Sequence, residues 1–210
     1  MPKPLLQHLT LLVGAWLMAI SLGCAAAFSP EDVEQDIRKV RAGQYSLDKH
    51  HATMLFKVQH MGLAPYLGRF NDFDIQLAYD PENPVATSVS ATVKTASIDV
   101  NYPQFSTTLS GADWFNSASF PEASFVSTGI EWRDASHASV SGHLTLLGVT
   151  APVTLEVVFH GATHHVVTRN YTVGFSASLT FERSRFGLDK FIPVVADRVE
   201  MEIHAELQRQ

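Results

Sequence analysis

The chain has 210 residues, 46% of them hydrophobic and 17% charged, with 21 acidic against 15 basic side chains and a formal net charge of −6. That balance argues against a nucleic-acid partner and against electrostatic docking on an anionic bilayer. The one cysteine, Cys24, excludes a fold stapled by its own disulfides, so a hydrophobic core must supply the stability.

Lys3 precedes an apolar run from Leu9 to Leu22, and the small residues Gly23, Cys24, Ala25, Ala26 and Ala27 follow. A basic start, a short apolar stretch and an A-x-A-like site read as a secretory signal peptide over residues 1–27, cut after Ala27. A membrane anchor is the alternative, but the run falls short of the about 20 residues that span a bilayer. Lipidation at Cys24 is a second alternative; Ser21 stands where a lipobox wants an apolar residue. The expected product is periplasmic, free of cysteine and not stably inserted in a membrane. With Lys3 gone, its formal charge moves from −6 to −7.

Ser29-Pro30-Glu31-Asp32 reads as a helix start, with a capping serine and proline at the first helical position. Val33, Ile37 and Val40 then share one stripe, and Gly43 ends it. The expectation is a short amphipathic helical segment over residues 28–43, packed across one end or side of the domain. A mobile gate is the other reading.

From Gln44 the period changes to two, and residues 44–210 read as one all-β domain. Met54, Phe56, Val58 and His60 share one face of the stretch Ala52 to His60. Val89, Ala91 and Val93 do so within Ala86 to Ile98. Ser124 to Trp132, with Phe125, alternates less cleanly. Val140, Leu144 and Leu146 face one way in Ser139 to Leu147, and Val153, Leu155, Val157 and Phe159 in the next strand. Tyr171 to Arg183 is the longest regular run, carrying Phe175, Ala177 and Leu179. Arg198 to Leu207 carries Val199, Met201 and Ile203. Asn101 to Pro121 lacks a strand pattern and reads as a loop with short helical turns between Phe105 and Phe115.

Strands with one polar and one apolar face, joined in order, suit an antiparallel sheet. About eight of them close into a barrel and remove the exposed edges. The predicted inward face comprises Met54, Phe56, Val58, Val89, Ala91, Val93, Phe125, Leu144, Leu146, Leu155, Val157, Phe175, Ala177, Leu179, Met201 and Ile203. A barrel of that size either holds a small ligand or is filled by its own side chains. Composition alone leaves both readings open.

Seven pieces, in order, carry a resemblance. They are Tyr45-Ser46-Leu47-Asp48 with His51 and His60-Met61-Gly62; Gly68-Arg69-Phe70; Ser97-Ile98; Asp113-Trp114-Phe115 with Phe120-Pro121-Glu122-Ala123-Ser124-Phe125; Gly142 to Thr150; Arg183 to Gly187; and Asp197-Arg198-Val199. Together they resemble the YceI family of lipid- and polyisoprenoid-binding, lipocalin-like proteins from about Tyr45 to Glu206. The resemblance implies an eight-stranded antiparallel barrel, an exported location and a long isoprenoid or fatty chain in the lumen, with no established catalysis. The chain departs from the family at Ala52, Ser106-Thr107-Thr108 and Arg185, which bears on a ligand head group more than on the fold.

His60 and Arg183 share parity with inward residues at strand ends, which makes them candidates for a head group; an arginine fork suits a phosphate or carboxylate. The alternative is that both tie down turns through backbone carbonyls. His50-His51 and His164-His165 could suggest metal, but neighbours on a strand point to opposite faces, and no metal or cofactor is expected. No G-x-S-x-G elbow is present, and Asp113 and Asp197 read as turn caps. The leading expectation is therefore a lipid carrier of the cell envelope. Its competitors are an enzyme or redox accessory acting on a quinone-type lipid, and a stress-related protein with a filled barrel working through its surface. A homodimer through an edge or loop stays open.

Overall fold

Period-two alternation folds here as ten antiparallel strands: β1 (Gly43–His60), β2 (Ala64–Phe70), β3 (Phe73–Tyr79), β4 (Ser88–Lys94), β5 (Ile98–Asp99), β6 (Glu122–Trp132), β7 (His137–Leu146), β8 (Val149–His164), β9 (Tyr171–Glu182) and β10 (Val195–Arg209). The computed structural model describes Ser29, residues 32–83 and residues 86–210; the leader over residues 1–27, with Cys24, and the helix-start residues Pro30 and Glu31 lie outside them. Neighbours run β10-β9-β8-β7-β6-β4-β3-β1, and β1 pairs again with β10, which closes a ring of eight. β1 pairs with β3 at Gly43–Ser46 and with β2 at Met54–His60, so β2 and β3 are two halves of one barrel strand broken at Asn71-Asp72. β4 and β5 are likewise interrupted by the 3-10 turn Thr95–Ser97, where one strand was expected from Ala86 to Ile98. The expected eight-stranded antiparallel barrel therefore forms.

Bulges decide which face each strand buries. Between Leu47 and Ala52 the register of β1 against β10 shifts. Tyr45 and Leu47 point inward before it, and Ala52 and Met54 after it. A second shift, between Ser127 and Gly129 of β6, moves the inward set from Ala123 and Phe125 to Ile130 and Trp132. An extra residue in one strand flips the parity of everything beyond it, which is why the alternation of β6 looked irregular.

The segment before β1 corrects the expected amphipathic helix. Its described residues hold no α-helix: Asp32 closes a turn on Ser29, Glu34 forms a bridge, and Ile37–Lys39 is a 3-10 turn. Glu34 is tied to Ala162 of β8 by two backbone hydrogen bonds of 2.9 and 2.8 Å, and the Ile37 amide donates to the Ala135 carbonyl. Amides committed to β8 and to the β6–β7 turn cannot feed an α-helical ladder. The expected position holds: Ile37 and Val40 are buried with Tyr45, Tyr79, Phe159 and Val173 and plug this end of the barrel.

Between β5 and β6, α1 (Pro103–Ser110) supplies the helical turns expected of the central loop, opening with proline in its first turn. Its buried Leu109 packs on Ile98 and Val100 over the other end of the barrel.

Gly142 of β7 is set by packing: a Cβ there would sit 2.4 Å from the Phe125 ring and 2.5 Å from the Val126 carbonyl oxygen. Alanine in a strand ordinarily costs nothing and trims unfolded-state entropy. Here the backbone contact cannot yield, and overpacking costs typically about 1–3 kcal/mol. Gly142→Ala is therefore expected to lower the thermal midpoint by several degrees, read by circular dichroism. An unchanged or higher midpoint would show that the Phe125 ring is not seated on this glycine.

Candidate functional site: an apolar cavity under the barrel mouth

The two ends of the barrel differ. One is plugged by Ile37, Val40 and Tyr45, whereas the half toward the β1–β2 turn encloses a cavity of about 630 Å³. That volume lies within the usual range for small-molecule sites, roughly 300–1,000 Å³. Its walls are almost wholly aliphatic and aromatic.

Of the predicted lumen residues, Met54, Phe56, Val58, Ala91, Val93, Phe125, Leu144, Leu146, Leu155, Leu179, Met201 and Ile203 line this space. Val89, Val157, Phe175 and Ala177 point the same way but do not reach it. They pack toward the plugged half, around Phe159 and Leu155, and fill the interior there. Parity places a side chain inside the barrel; depth along the axis decides whether it meets space or a neighbour.

Close approach shapes the wall. The Phe56 ring lies across Gly68 of β2, where a Cβ would come within 2.3 Å of it. This lets Phe56 pack on Phe70, whose ring meets Phe115 edge-on at 5.7 Å. Four further rings, Tyr66, Phe105, Trp114 and Phe191, follow one another at centroid separations of 6.2, 6.5 and 6.0 Å. All four line the cavity, and they bridge β2, α1 and the loop before β10. Sequence reasoning missed them because they sit in segments without period; the only hint was the density of aromatics between Tyr102 and Phe120.

Polar groups on the wall are few. Thr95 is buried, and its hydroxyl donates to the Phe120 carbonyl at 2.7 Å. His60 stands exposed at the end of β1 and lines the rim, and among the described residues its ring makes no hydrogen bond. It stays a head-group candidate.

Arg183 is only 5% exposed. Its guanidinium donates to the carbonyls of Ala196 (2.9 Å), Lys190 (2.9 Å), Val195 (2.9 Å) and Leu188. Burial pulls its pKa below the ordinary range, against the opposing charges of Asp197 and Asp189. A guanidinium has five N–H donors in a fixed fork, and four bonds to backbone leave no free fork for a ligand. Of the two readings offered for Arg183, head-group hook and tie for a turn, these bonds fit the second: it clamps the loop between β9 and β10. Asp197 caps the same turn, accepting from the Ser184 amide at 2.8 Å and hydroxyl at 2.6 Å. Burial pushes the Asp197 carboxyl up, but the Ser184 hydrogen bonds and the charge of Arg183 outweigh it and hold it below the usual value. Asp113, expected as a cap, is exposed and pairs with Lys190 at 3.0 Å.

The histidine pairs lie elsewhere. His51 donates its Nδ1–H to the Asp48 carboxylate at 2.9 Å, and its ring centroid is 5.9 Å from that of His165. Among the described residues, Asp48, His51 and Glu206 alone bring three potential metal-binding atoms within 4.8 Å of one another, on the bulge of β1 and away from the cavity.

The YceI-like domain family matches residues 45–207, most of the chain and all ten strands but their outermost residues. The chain belongs to this family. Among curated relatives of this YceI-like barrel is a UPF0312 protein of Shewanella sp. (strain ANA-3), 33% identical over 173 residues, 79% of this chain and 87% of that one. A UPF0312 protein of Shewanella baltica (strain OS185) is 32% identical over the same shares. Among solved structures, Burkholderia cenocepacia BcnA superposes with a TM-score of 0.69 at 27% identity, covering 76% of this chain and 98% of its own. A polyisoprenoid binding domain from Saccharophagus degradans, implicated in plant cell wall breakdown, shares the fold at a TM-score of 0.61 and 12% identity, covering 81% of this chain and 100% of its own.

Proposed function

We propose that this YceI-like barrel is an exported binding or carrier protein that holds a long-chain apolar lipid in its cavity: a polyisoprenoid, a quinone precursor or a fatty-acid derivative. The observation that carries the reading is the cavity itself, about 630 Å³ of space walled by hydrocarbon in a barrel whose other half is solidly packed. Apolar space of that size favours an apolar guest, because each CH₂ moved out of water contributes about 0.8 kcal/mol. The polyisoprenoid-binding relative in fold, and the apolar leader ahead of the domain, support the choice of guest and the periplasmic location. Binding without catalysis fits the wall, whose polar side chains are few: Tyr66, Thr95 and Arg183 donate to backbone carbonyls, Ser124 is a lone hydroxyl, and His60 stands at the rim.

Native mass spectrometry of the protein from its own envelope, with extraction of co-purifying lipid, tests the proposal. One lipid per chain is expected, and Ala91→Trp, which puts an indole into the space beside Phe125, is expected to abolish it while the barrel still melts cooperatively. Ala177 would be the wrong site to fill, since it packs outside the cavity. A protein that is empty and stays empty when offered isoprenoids and fatty acids sinks the carrier reading and favours a surface-working barrel.

A further inference from the structure

Two tips flank the cavity mouth. The β1–β2 turn and the start of β2 read Met61-Gly62-Leu63-Ala64-Pro65-Tyr66-Leu67, and the loop before β10 reads Phe191-Ile192-Pro193-Val194-Val195-Ala196. Neither contains an ionisable group other than the Tyr66 phenol, which donates to the Val100 carbonyl. Their apolar side chains stand in water: Leu63 is 80% exposed, Phe191 65% and Met61 59%, and Val194 and Leu67 are more than half exposed. A backbone hydrogen bond of 2.7 Å from Met61 to Val194 joins the tips into one surface. Phe191 and Val194 belong both to this surface and to the cavity wall, so the patch is continuous with the opening.

We propose that this collar docks the barrel mouth-down on an uncharged or zwitterionic lipid bilayer, so that a guest passes between membrane and cavity without crossing water. Contiguous exposed apolar patches mark binding surfaces. The chemistry of this one selects a bilayer over a protein. A protein interface carries about one hydrogen bond per 100–200 Å² and is enriched in arginine, whereas these tips present aliphatic and aromatic groups with no free polar side chain. Trp114 stands beside them, its ring 6.0 Å from that of Phe191, and tryptophan is a residue type that settles at the boundary between head groups and acyl chains. The net charge of −6 works against anionic lipid, which leaves burial of the collar as the attraction. The need for contact rests on the proposed lipid cargo: a long chain released into water pays the hydrophobic cost of every CH₂ at once.

The test uses the protein as its own cell processes it, mixed with phosphatidylcholine vesicles whose acyl chains are brominated. The protein is expected to float with the vesicles, little affected by salt, with Trp114 emission quenched and that of Trp132, at the plugged end, retained. Met61→Asp with Leu63→Asp should lower partition about tenfold or more. Neither residue lines the cavity, so co-purifying lipid, measured by native mass spectrometry, should persist in that variant. This separates failed docking from failed cargo binding. Three results overturn the proposal: no flotation, flotation that demands anionic lipid and dissolves with salt, or an exposed collar that instead pairs two copies of the chain in solution.

Discussion

Replacing Arg183 with methionine is expected to lower the thermal midpoint of the protein by about 10 °C. The guanidinium holds four carbonyls of one loop, Leu188, Lys190, Val195 and Ala196, at a site with almost no solvent. Methionine fills the volume and satisfies none of them. Each buried polar group left unpaired costs about 1–3 kcal/mol, and loop relaxation toward the mouth recovers part, leaving about 3–5 kcal/mol. A domain of this size loses about 2–4 °C per kcal/mol. Lysine should rescue little, because one ammonium cannot reach four carbonyls that a planar fork reaches together. Melting followed by circular dichroism decides it. If Arg183→Met melts within a degree or two of the parent but loses its lipid, the arginine is a head-group hook and the clamp is wrong. The clamp predicts the reverse order of damage: stability falls first, and lipid retention follows because the loop carries Phe191 and Val194 of the mouth.

How much of this was legible in the sequence depends on which force decided each residue. Strand faces were readable because a half-buried strand has to alternate, and the inward residues of β4, β7, β9 and β10 were found that way. Phe73, Ile75, Leu77 and Tyr79 of β3 alternate just as clearly and are all buried, yet they were passed over beside the Gly68-Arg69-Phe70 turn. Bulges are tertiary choices, so the parity change at Asp48 to His51 gave no local warning. Among the described residues 32–43 the expected helix is absent for the same reason, since the amides of Glu34 and Ile37 found partners in β8 and at Ala135.

The candidate site was legible in part. Inward parity identified twelve cavity residues and four that pack below it. What separates Leu179 from Ala177 on β9 is how far the plug formed by Ile37, Val40 and Tyr45 reaches up the barrel axis. No pattern along one strand encodes that depth, since it is set by residues more than a hundred positions away. The aromatic chain from Tyr66 to Phe191 was invisible for a related reason. It is assembled from a strand, a helix and two loops, and its order exists only in space.

The plugged end carries the second large effect, and it should appear as a steep loss of stability between about pH 10 and 12. Tyr79 donates its hydroxyl to the Ile37 carbonyl at 2.6 Å, and Tyr45 donates to that of Arg41. Both rings are buried in the main cluster. Burial pushes each hydroxyl from its ordinary 10 up to about 12; the neighbouring Tyr171 adds to this for Tyr45, and the charges of Asp36 and Asp80 for Tyr79. The folded protein therefore holds these protons more tightly than the unfolded chain. Their contribution is complete below pH 10, where both states are protonated, and is lost as pH rises through the folded value near 12. Each tyrosine accounts for on the order of 2–3 kcal/mol across that window. Denaturant melts at stepped pH measure the slope. Tyr45→Phe with Tyr79→Phe should be less stable at neutral pH, having lost two hydrogen bonds to backbone carbonyls, yet show a shallower alkaline limb than the parent. If the double variant and the parent fall in parallel above pH 10, the loss comes from lysines elsewhere and the two hydroxyls do not hold the plug. If the limbs diverge as expected, the end of the barrel that bounds the cavity from below is fastened by two protons, and its opening can be driven without touching the mouth.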